Sequence, residues 1–570
     1  MDSTRRQFLK TAGVAGVAIA SHDLISELLA QSPAGSVMQS KFKGLADIVL
    51  TEAKTAGCSY ADVRFTLTSN IPGGNASFNA NAAGRGAAGD AGPGGAGGRG
   101  GGGGGRGGGG GRGGGGGFAG GRGGRGGGIP TEAERQAGGF GVRVIHSGVW
   151  GFASSPIVTE DEIKRITRVA TEVARASAIA KKSDVRLAPV PAYQVNWKTP
   201  LMKDPTTVSA TDKQNWAQAI VDKASAVKGV VNVTASVQFG YEWKYFASSE
   251  GSYIEQENYT TTPSLNVTAT VDGVTRSRTY PGAPGVGGFE IAEQTDLLAA
   301  SERVATEAVE FCTAKPLGSG VKDLIISPSH MMLTIHEIVS HPTEIDRVMG
   351  YEANYAGTSF VKIGDIGKLK YGSKLMNIHA SKIDRGLGSC GYDDDGVKNT
   401  EFDIVKEGVL VGLQTNRETA HYHGEKESRG CTFAQSWRDY PFLRMPNVHL
   451  LPGGPGSPTR EELIKDVKDG VMIDGRGSYS IDQQRYNGQF GGNAFWEIKN
   501  GKVTRMVTDV TYNAITTDFW GNLDAITGKD EWVMHGTGGD AKGQPTQINS
   551  ISHGSPWCRI RKIMVGAAFA

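Results

Sequence analysis

At 570 residues the chain is several times the ~100–200 of a single-core domain, so two or more domains are expected. Thirty-one of its 84 glycines lie between Gly84 and Gly128, where six arginines and Asp90 are the only charges; such a tract buries no core, and removing its +5 turns the formal net charge of +2 into −3, which excludes nucleic-acid binding by bulk electrostatics. Glycine without a strict period of three excludes collagen, and five scattered cysteines with no CxxC pair exclude a disulfide scaffold or a four-cysteine zinc module.

From the N-terminus, the run STRRQFLK (Ser3 to Lys10) precedes a small, apolar stretch from Thr11 to Ala20. It resembles a twin-arginine export signal over residues 1–30, with cleavage sites after Ala20 or Ala30, and implies a periplasmic protein. No other apolar run approaches the ~20 residues of a membrane span, so none is expected in the mature chain. Lys41 to Ala56 predicts a helix and Tyr60 to Leu67 a strand. The glycine–arginine tract at 84–128 then reads as a disordered loop within one domain, a flexible tether or a functionless loop of biased composition rather than a nucleic-acid arm. Beyond it, 141–145 and 149–153 flank the turn His146-Ser147-Gly148 and predict a hairpin. Thr159 and Glu162 form a capping box ahead of Ile163, Ile166, Val169, Ala170 and Val173, which share one helical face. Val231, Val233, Ala235, Val237 and Phe239 alternate with polar residues, as in a half-buried antiparallel strand. A helix from Thr295 to Cys312 and the breaker-rich stretch Pro316 to Gly320 close an N-terminal α/β domain (36–315). A β-rich antiparallel C-terminal domain (320–570) follows, making the fold class α+β.

The chemistry concentrates on one helix. Ser327 is a natural N-cap and Pro328 suits the first helical position. Farther along stands HEIVSH, from His336 through Glu337 to His341. Two imidazoles flanking a carboxylate follow zincin logic, the histidines binding Zn²⁺ and the glutamate acting as general base. Yet the histidines are five apart, about 140° around an ideal α-helix. Both reach one ion only if a π-bulge intervenes or the helix ends at His341, where Pro342 already disfavours α geometry.

The motif HEIVSHPTEID, with Glu344 and Asp346 behind the second histidine, resembles the HExxxH motif of the TldD/PmbA metallopeptidases. GVRV at Gly141, SSEG at Ser248, RMPN at Arg444, LPG at Leu451 and EIKNGKV at Glu497 fall in the family's order, and the likeness runs from about Ser40 to the end, the glycine tract excepted. It implies a TldD-type subunit, a homodimer or a heterodimer with a PmbA-like chain, and a cavity admitting unfolded or small peptides. One departure matters. Where the family has a cysteine as third zinc ligand, this chain reads GGDAKGQP, and alignment on Lys542-Gly543-Gln544 puts Asp540 there, completing a His₂Asp set. His535 and His553 are alternative third ligands; Cys558 is a third alternative but reads better as a buried, inert thiol. Glu344 and Asp346 are candidates for orienting the histidine rings, or else ordinary acids at a helix end. His421 and His423 read as alternate residues of a strand, surface or substrate-facing rather than a second metal pair. Arg429 to Arg444, with Trp437, Arg438, Tyr440 and Phe442, can line a peptide groove or simply pack. Two functions stand: a zinc-dependent peptidase using Glu337 as base, or a metal-free peptide-binding or maturation partner of the same fold.

Overall fold

A computed structural model describes residues 36–80 and 138–566. The export-signal reading at 1–30 and the glycine tract at 84–128 lie outside them. The N-terminal half is built on an eight-stranded sheet in which the long strands Tyr60–Asn79, Val230–Ser248 and Tyr253–Val271 run side by side, antiparallel, with the hairpin Gly139–His146 and Val149–Ser155 on one edge. The expected hairpin thus forms around Ser147 and Gly148, both at positive φ. The first strand is longer than its apolar start suggests. It pairs with Gly139–His146 only from Tyr60 to Thr66, then runs on to Asn79 against Val230–Ser248.

Two helix pairs pack on this sheet. Lys41–Thr55 and Glu160–Ser177 bring Phe42, Val49, Ile163 and Ala170 onto Val63, Phe65, Trp243 and Tyr245. Thr159 caps the second of these through the Glu162 N–H. Ala210–Ser225 and Leu297–Thr313 cover Val233, Ala235, Leu265 and Val267 with Ile220, Val304 and Ala308. The alternation from Val233 to Phe239 is buried as expected, but a bulge between Val230 and Asn232 puts Val230 rather than Val231 inside.

The chain crosses over at Lys315–Pro316, which already pairs with Lys502–Thr508 of the second sheet. That ten-stranded, mostly antiparallel sheet has Gly320–Ile326 near its centre, between Asp469–Asp474 (parallel) and Cys558–Gly566 (antiparallel). A smaller sheet containing Ile378–Ser381 and Asn447–Leu450, and the hairpin Val533–Lys542/Gln547–Ser555, complete the C-terminal half. The whole is α+β, sheet-rich toward the C-terminus.

Buried ion pairs join the halves. Arg143 bridges Asp62 and Asp395, each at 2.7 Å, Lys244 meets Asp394 at 2.8 Å, and Arg64 donates to the Asp439 carbonyl at 2.9 Å. Trp150 and Phe152 meet Tyr440 edge to face, and Trp437 packs against Gly139. The stretch around Trp437 and Tyr440 therefore packs against the N-terminal hairpin. Of the two readings of that stretch, packing is the one these aromatic residues follow.

Candidate metal centre

Strand Gly320–Ile326 feeds directly into helix Pro328–Ile335. Ser327 accepts the His330 N–H, and Asp474 in turn accepts hydrogen bonds from the Ser327 (2.6 Å) and Ser329 hydroxyls. Arg278 of the N-terminal half holds Asp474. Burial alone raises the Asp474 carboxyl, but Arg278 and the two hydroxyls outweigh it and hold the group far below the carboxylate range. The helix start is thus clamped by a fixed anion.

The helix then widens. From His336 to Ser340 it is π-helical, and the His341 N–H bonds to the His336 carbonyl five residues back. Widening the turn reduces the 140° offset, and the two rings meet with centroids 4.6 Å apart. Pro342 explains the local change, since it has no N–H for the carbonyl four residues earlier, Ile338. The Tyr371 hydroxyl takes that carbonyl at 2.7 Å. Thr343 closes the turn by donating to the Val339 and Ser340 carbonyls.

Asp540 arrives from the hairpin strand Val533–Lys542. Its Oδ1 lies 3.6 Å from His336 Nε2 and 3.5 Å from His341 Nε2, and the three ligand atoms fall within 4.8 Å of one another. These separations are too long for hydrogen bonds. The two distances to Asp540 match the edges of a tetrahedron whose corners stand ~2.0–2.2 Å from a central ion, which are ~3.3–3.6 Å. Hydrogen bonds at the far side of each ring agree. His553 Nδ1 donates to the Val448 carbonyl at 2.8 Å, so its Nε2 is an acceptor. His336 Nδ1, 2.9 Å away, must then carry the proton, and the lone pair of His336 Nε2 faces Asp540. His341 Nδ1 lies 2.9 Å from Glu344 Oε2, against a longer 3.3 Å approach by Arg347, and the shorter, charged contact puts the proton on Nδ1. Burial, followed by Arg347, lowers the His341 pKa to about 4, so the ring is neutral. Burial pushes Asp540 up, yet Arg444 (Nη2 to Oδ2, 2.8 Å) outweighs it and holds its pKa well below the carboxylate range. Two imidazoles and one carboxylate are the donor set of a divalent ion such as zinc.

Glu337 is 2 % exposed and paired through Oε2 with Arg485. Burial raises its pKa, but Arg485 and then His341 more than compensate and hold it low. Other expected residues stand differently. Asp346 touches neither histidine; it binds Lys542 Nζ at 2.8 Å, the same ammonium that holds Glu344 at 2.9 Å, and accepts the Arg347 N–H at 2.8 Å. His535 is turned away, its Nδ1 against the Gly282 carbonyl at 2.8 Å. His553 meets His336 at the wrong nitrogen for a ligand and orients it instead. Cys558 is a buried thiol hydrogen-bonded to the Pro556 carbonyl, with its pKa pushed up to about 12 by burial, so it offers no thiolate. His421 and His423 lie on a short 3₁₀ turn, Ala420–His423, not on a strand, and His423 pairs with Glu425 at 3.2 Å. Among the described residues the only group of three or more metal-ligating side chains is His336, His341 and Asp540.

Residues 319–567 match the PmbA/TldA metallopeptidase C-terminal domain, 203–313 its central domain and 128–180 its domain 1. A metalloprotease of Methanothermobacter thermautotrophicus is 30 % identical over 431 residues, 76 % of this chain and 89 % of that protein. This chain belongs to the PmbA/TldD metallopeptidase family. A zinc metalloprotease TldD homolog of Saccharolobus solfataricus is 22 % identical over 443 residues, 75 % of this chain and 90 % of that one. TldE of Thermococcus kodakarensis superposes with a TM-score of 0.62 at 13 % identity, over 92 % of this chain and all of that one. A Thermotoga maritima structure gives 0.65 at 16 % identity, with the same coverage. These superpositions establish the fold, and the curated relatives support a metal-dependent peptidase. Within this family frame, Arg444 and Lys542 lie in the RMPN and KGQ motifs that carry the sequence resemblance, so their contacts with Asp540 and Glu344 were within reach of the sequence. Arg485 stands in DQQRYNG, which carries no such pattern.

Proposed function

We propose that this chain is a zinc-dependent peptidase hydrolysing peptide bonds in unfolded or small peptides, with His336, His341 and Asp540 as ligands and Glu337 as base. The convergence of the two Nε2 atoms and Asp540 Oδ1 within 4.8 Å of one another, with Oδ1 3.5–3.6 Å from each ring, carries the reading. When bound, the ion supplies Lewis acidity toward a scissile carbonyl and its attacking water. The chain's own residues do the rest. His553 and Glu344 hold the rings in the ligating tautomer. Glu337 uses Oε1, the oxygen outside its pair with Arg485, to take the water's proton and deliver it to the leaving amine. Arg485, with 14 % of its side chain exposed, is the most open of the groups contacting Glu337 and His336, and substrate reaches Glu337 by displacing or sharing it. The twin-arginine-like start supports export to the periplasm, and the family likeness supports work as a homodimer or beside a PmbA-like chain.

Elemental analysis of the protein purified without chelator tests the metal set. We expect about one zinc per chain in the parent, little in Asp540→Ala, and full zinc with peptide hydrolysis down by about 10²-fold or more in Glu337→Gln. No zinc in the reconstituted parent would leave the metal-free peptide-binding alternative.

A further inference from the structure

Between the N-terminal sheet and the C-terminal half lies a cavity of about 470 Å³, well within the ~300–1,000 Å³ of small-molecule sites. It backs onto the candidate metal centre. Asn549 in its wall is the cross-strand partner of Asp540, so both side chains leave the same face of the hairpin. Met445, also in the wall, directly follows Arg444, the guanidinium on Asp540.

Five charged residues line this cavity, and four are committed elsewhere. Lys244 pairs with Asp394 at 2.8 Å and Glu242 at 3.5 Å. Asp394 also accepts the Ala434 N–H, and Glu242 accepts from the Asn258 side-chain amide. Asp393 accepts the backbone N–H groups of Asp395, Val397 and Thr432. Lys382 is the fifth. It is only 6 % exposed, and its ammonium makes no hydrogen bond or ion pair among the described residues. Against burial, Asp393 and Asp394 lie near enough to favour its charged form, while its three donors, unused among the described residues, face an anion placed in the cavity. Three buried atoms in the same wall lack hydrogen-bond partners: the Thr68 hydroxyl, able to donate, Asn258 Oδ1, able to accept, and Asp394 Oδ1, which is ion-paired with Lys244.

We propose that this cavity is a subsite for a peptide carboxylate, with Lys382 as its counter-charge and Thr68 and Asn258 as partners for the adjoining peptide group. The carboxylate belongs to the peptide's C-terminus or to an acidic side chain, and the test separates the two. The proposal rests on the peptide-substrate reading above, but its readout is binding rather than turnover.

Calorimetric titration of the full chain carrying Glu337→Gln uses four probes: N-acetyl-trialanine with a free C-terminus, its amide, an N-acetylated amide ending in glutamate, and acetate alone. We expect the free acid or the glutamyl amide to bind ~30-fold or more tightly than the alanyl amide, and whichever does identifies the source. Lys382→Met erases that preference while Lys382→Arg keeps most of it. Thermal unfolding of Lys382→Met checks that the near-isosteric variant is folded; if it is not, Thr68→Val, expected to weaken the preferred probe, takes its place. Equal binding of acid and amides, no binding of any probe, acetate binding as tightly as the peptide acid, or an unchanged preference in the folded variants overturns the proposal. Peptide binding that follows this pattern without hydrolysis by the parent would instead refute the peptidase reading and leave the subsite standing.

Discussion

His553 decides which nitrogen of His336 carries the proton, and it does so from a strand more than two hundred residues away. Its own Nδ1 is tied to the Val448 carbonyl, so the relay has a single consistent tautomer. Replacing it with phenylalanine leaves the His336 ring free to turn and its Nδ1–H without an acceptor. The expected outcome for His553→Phe is a ~10–100-fold weaker metal affinity, measured by competition with a chelator. His535→Phe serves as the contrast, with affinity unchanged, since His535 faces Gly282 and not the metal centre. At this scale the two histidines and Glu337 were legible because they are close in sequence, and Asp540 through family alignment. Arg485, and the part His553 plays, were not. Their partners lie over a hundred residues away, and a contact between distant side chains leaves no periodicity to read.

The helix carrying the motif shows what local sequence can and cannot determine. Ser327 and Pro328 specify its start by rules that operate within one turn, and the spacing of the histidines together with Pro342 restricted its end to two options, of which the π turn is the one formed. What holds that turn open comes from elsewhere. Tyr371 is buried and its hydroxyl occupies the carbonyl that Pro342 cannot reach. Tyr371→Phe leaves the Ile338 carbonyl unsatisfied in the core, and we expect a loss of about 1–3 kcal/mol in denaturant unfolding of the metal-free protein. The turn at His421 and His423 gives the opposite lesson. Two histidines around an aromatic fit a strand pattern, yet Ala420–His423 is a 3₁₀ turn ending at Gly424 in the left-handed region. Four residues are too few for alternation to distinguish the two.

Across the whole molecule, acid should loosen the fold before it removes the carboxylate pairs. His330 is fully enclosed, with Nδ1 on the Gly475 carbonyl and Nε2 on the Tyr512 hydroxyl, and burial lowers its pKa to about 4. In the unfolded chain a histidine titrates near ~6.5. Between those values the unfolded state binds the extra proton, so stability rises with pH and is lost as pH falls from ~6.5 toward about 4. Thermal midpoints of the metal-free protein should therefore drop over that window, and His330→Phe should lessen the drop, the rest coming from His341 and the other buried histidines. Asp474, held far below its ordinary range by Arg278, adds its own loss only below ~3.8. The junction between the halves resisted sequence reading for the reason given for Arg485. Asp62, Arg143 and Asp395 are far apart in the chain, and only the fold brings them together.

The overhang of the first strand sets a minimum length for the chain that follows it. From Thr66, opposite Gly139, to Asn79 the strand advances thirteen residues, which at ~3.3 Å each is about 40 Å. The link between Asn79 and Gly139 has to return over that distance whatever its composition. Deleting 84–128 leaves residues 80–83 and 129–138, fourteen in all, and a chain of that length reaches about 50 Å when extended. The glycine–arginine tract is therefore dispensable for closing this sheet. We expect the 84–128 deletion to unfold at the parent's temperature, whereas deleting 81–137, which leaves two residues between the strands, should prevent the hairpin edge from docking and give no cooperative transition for the N-terminal half.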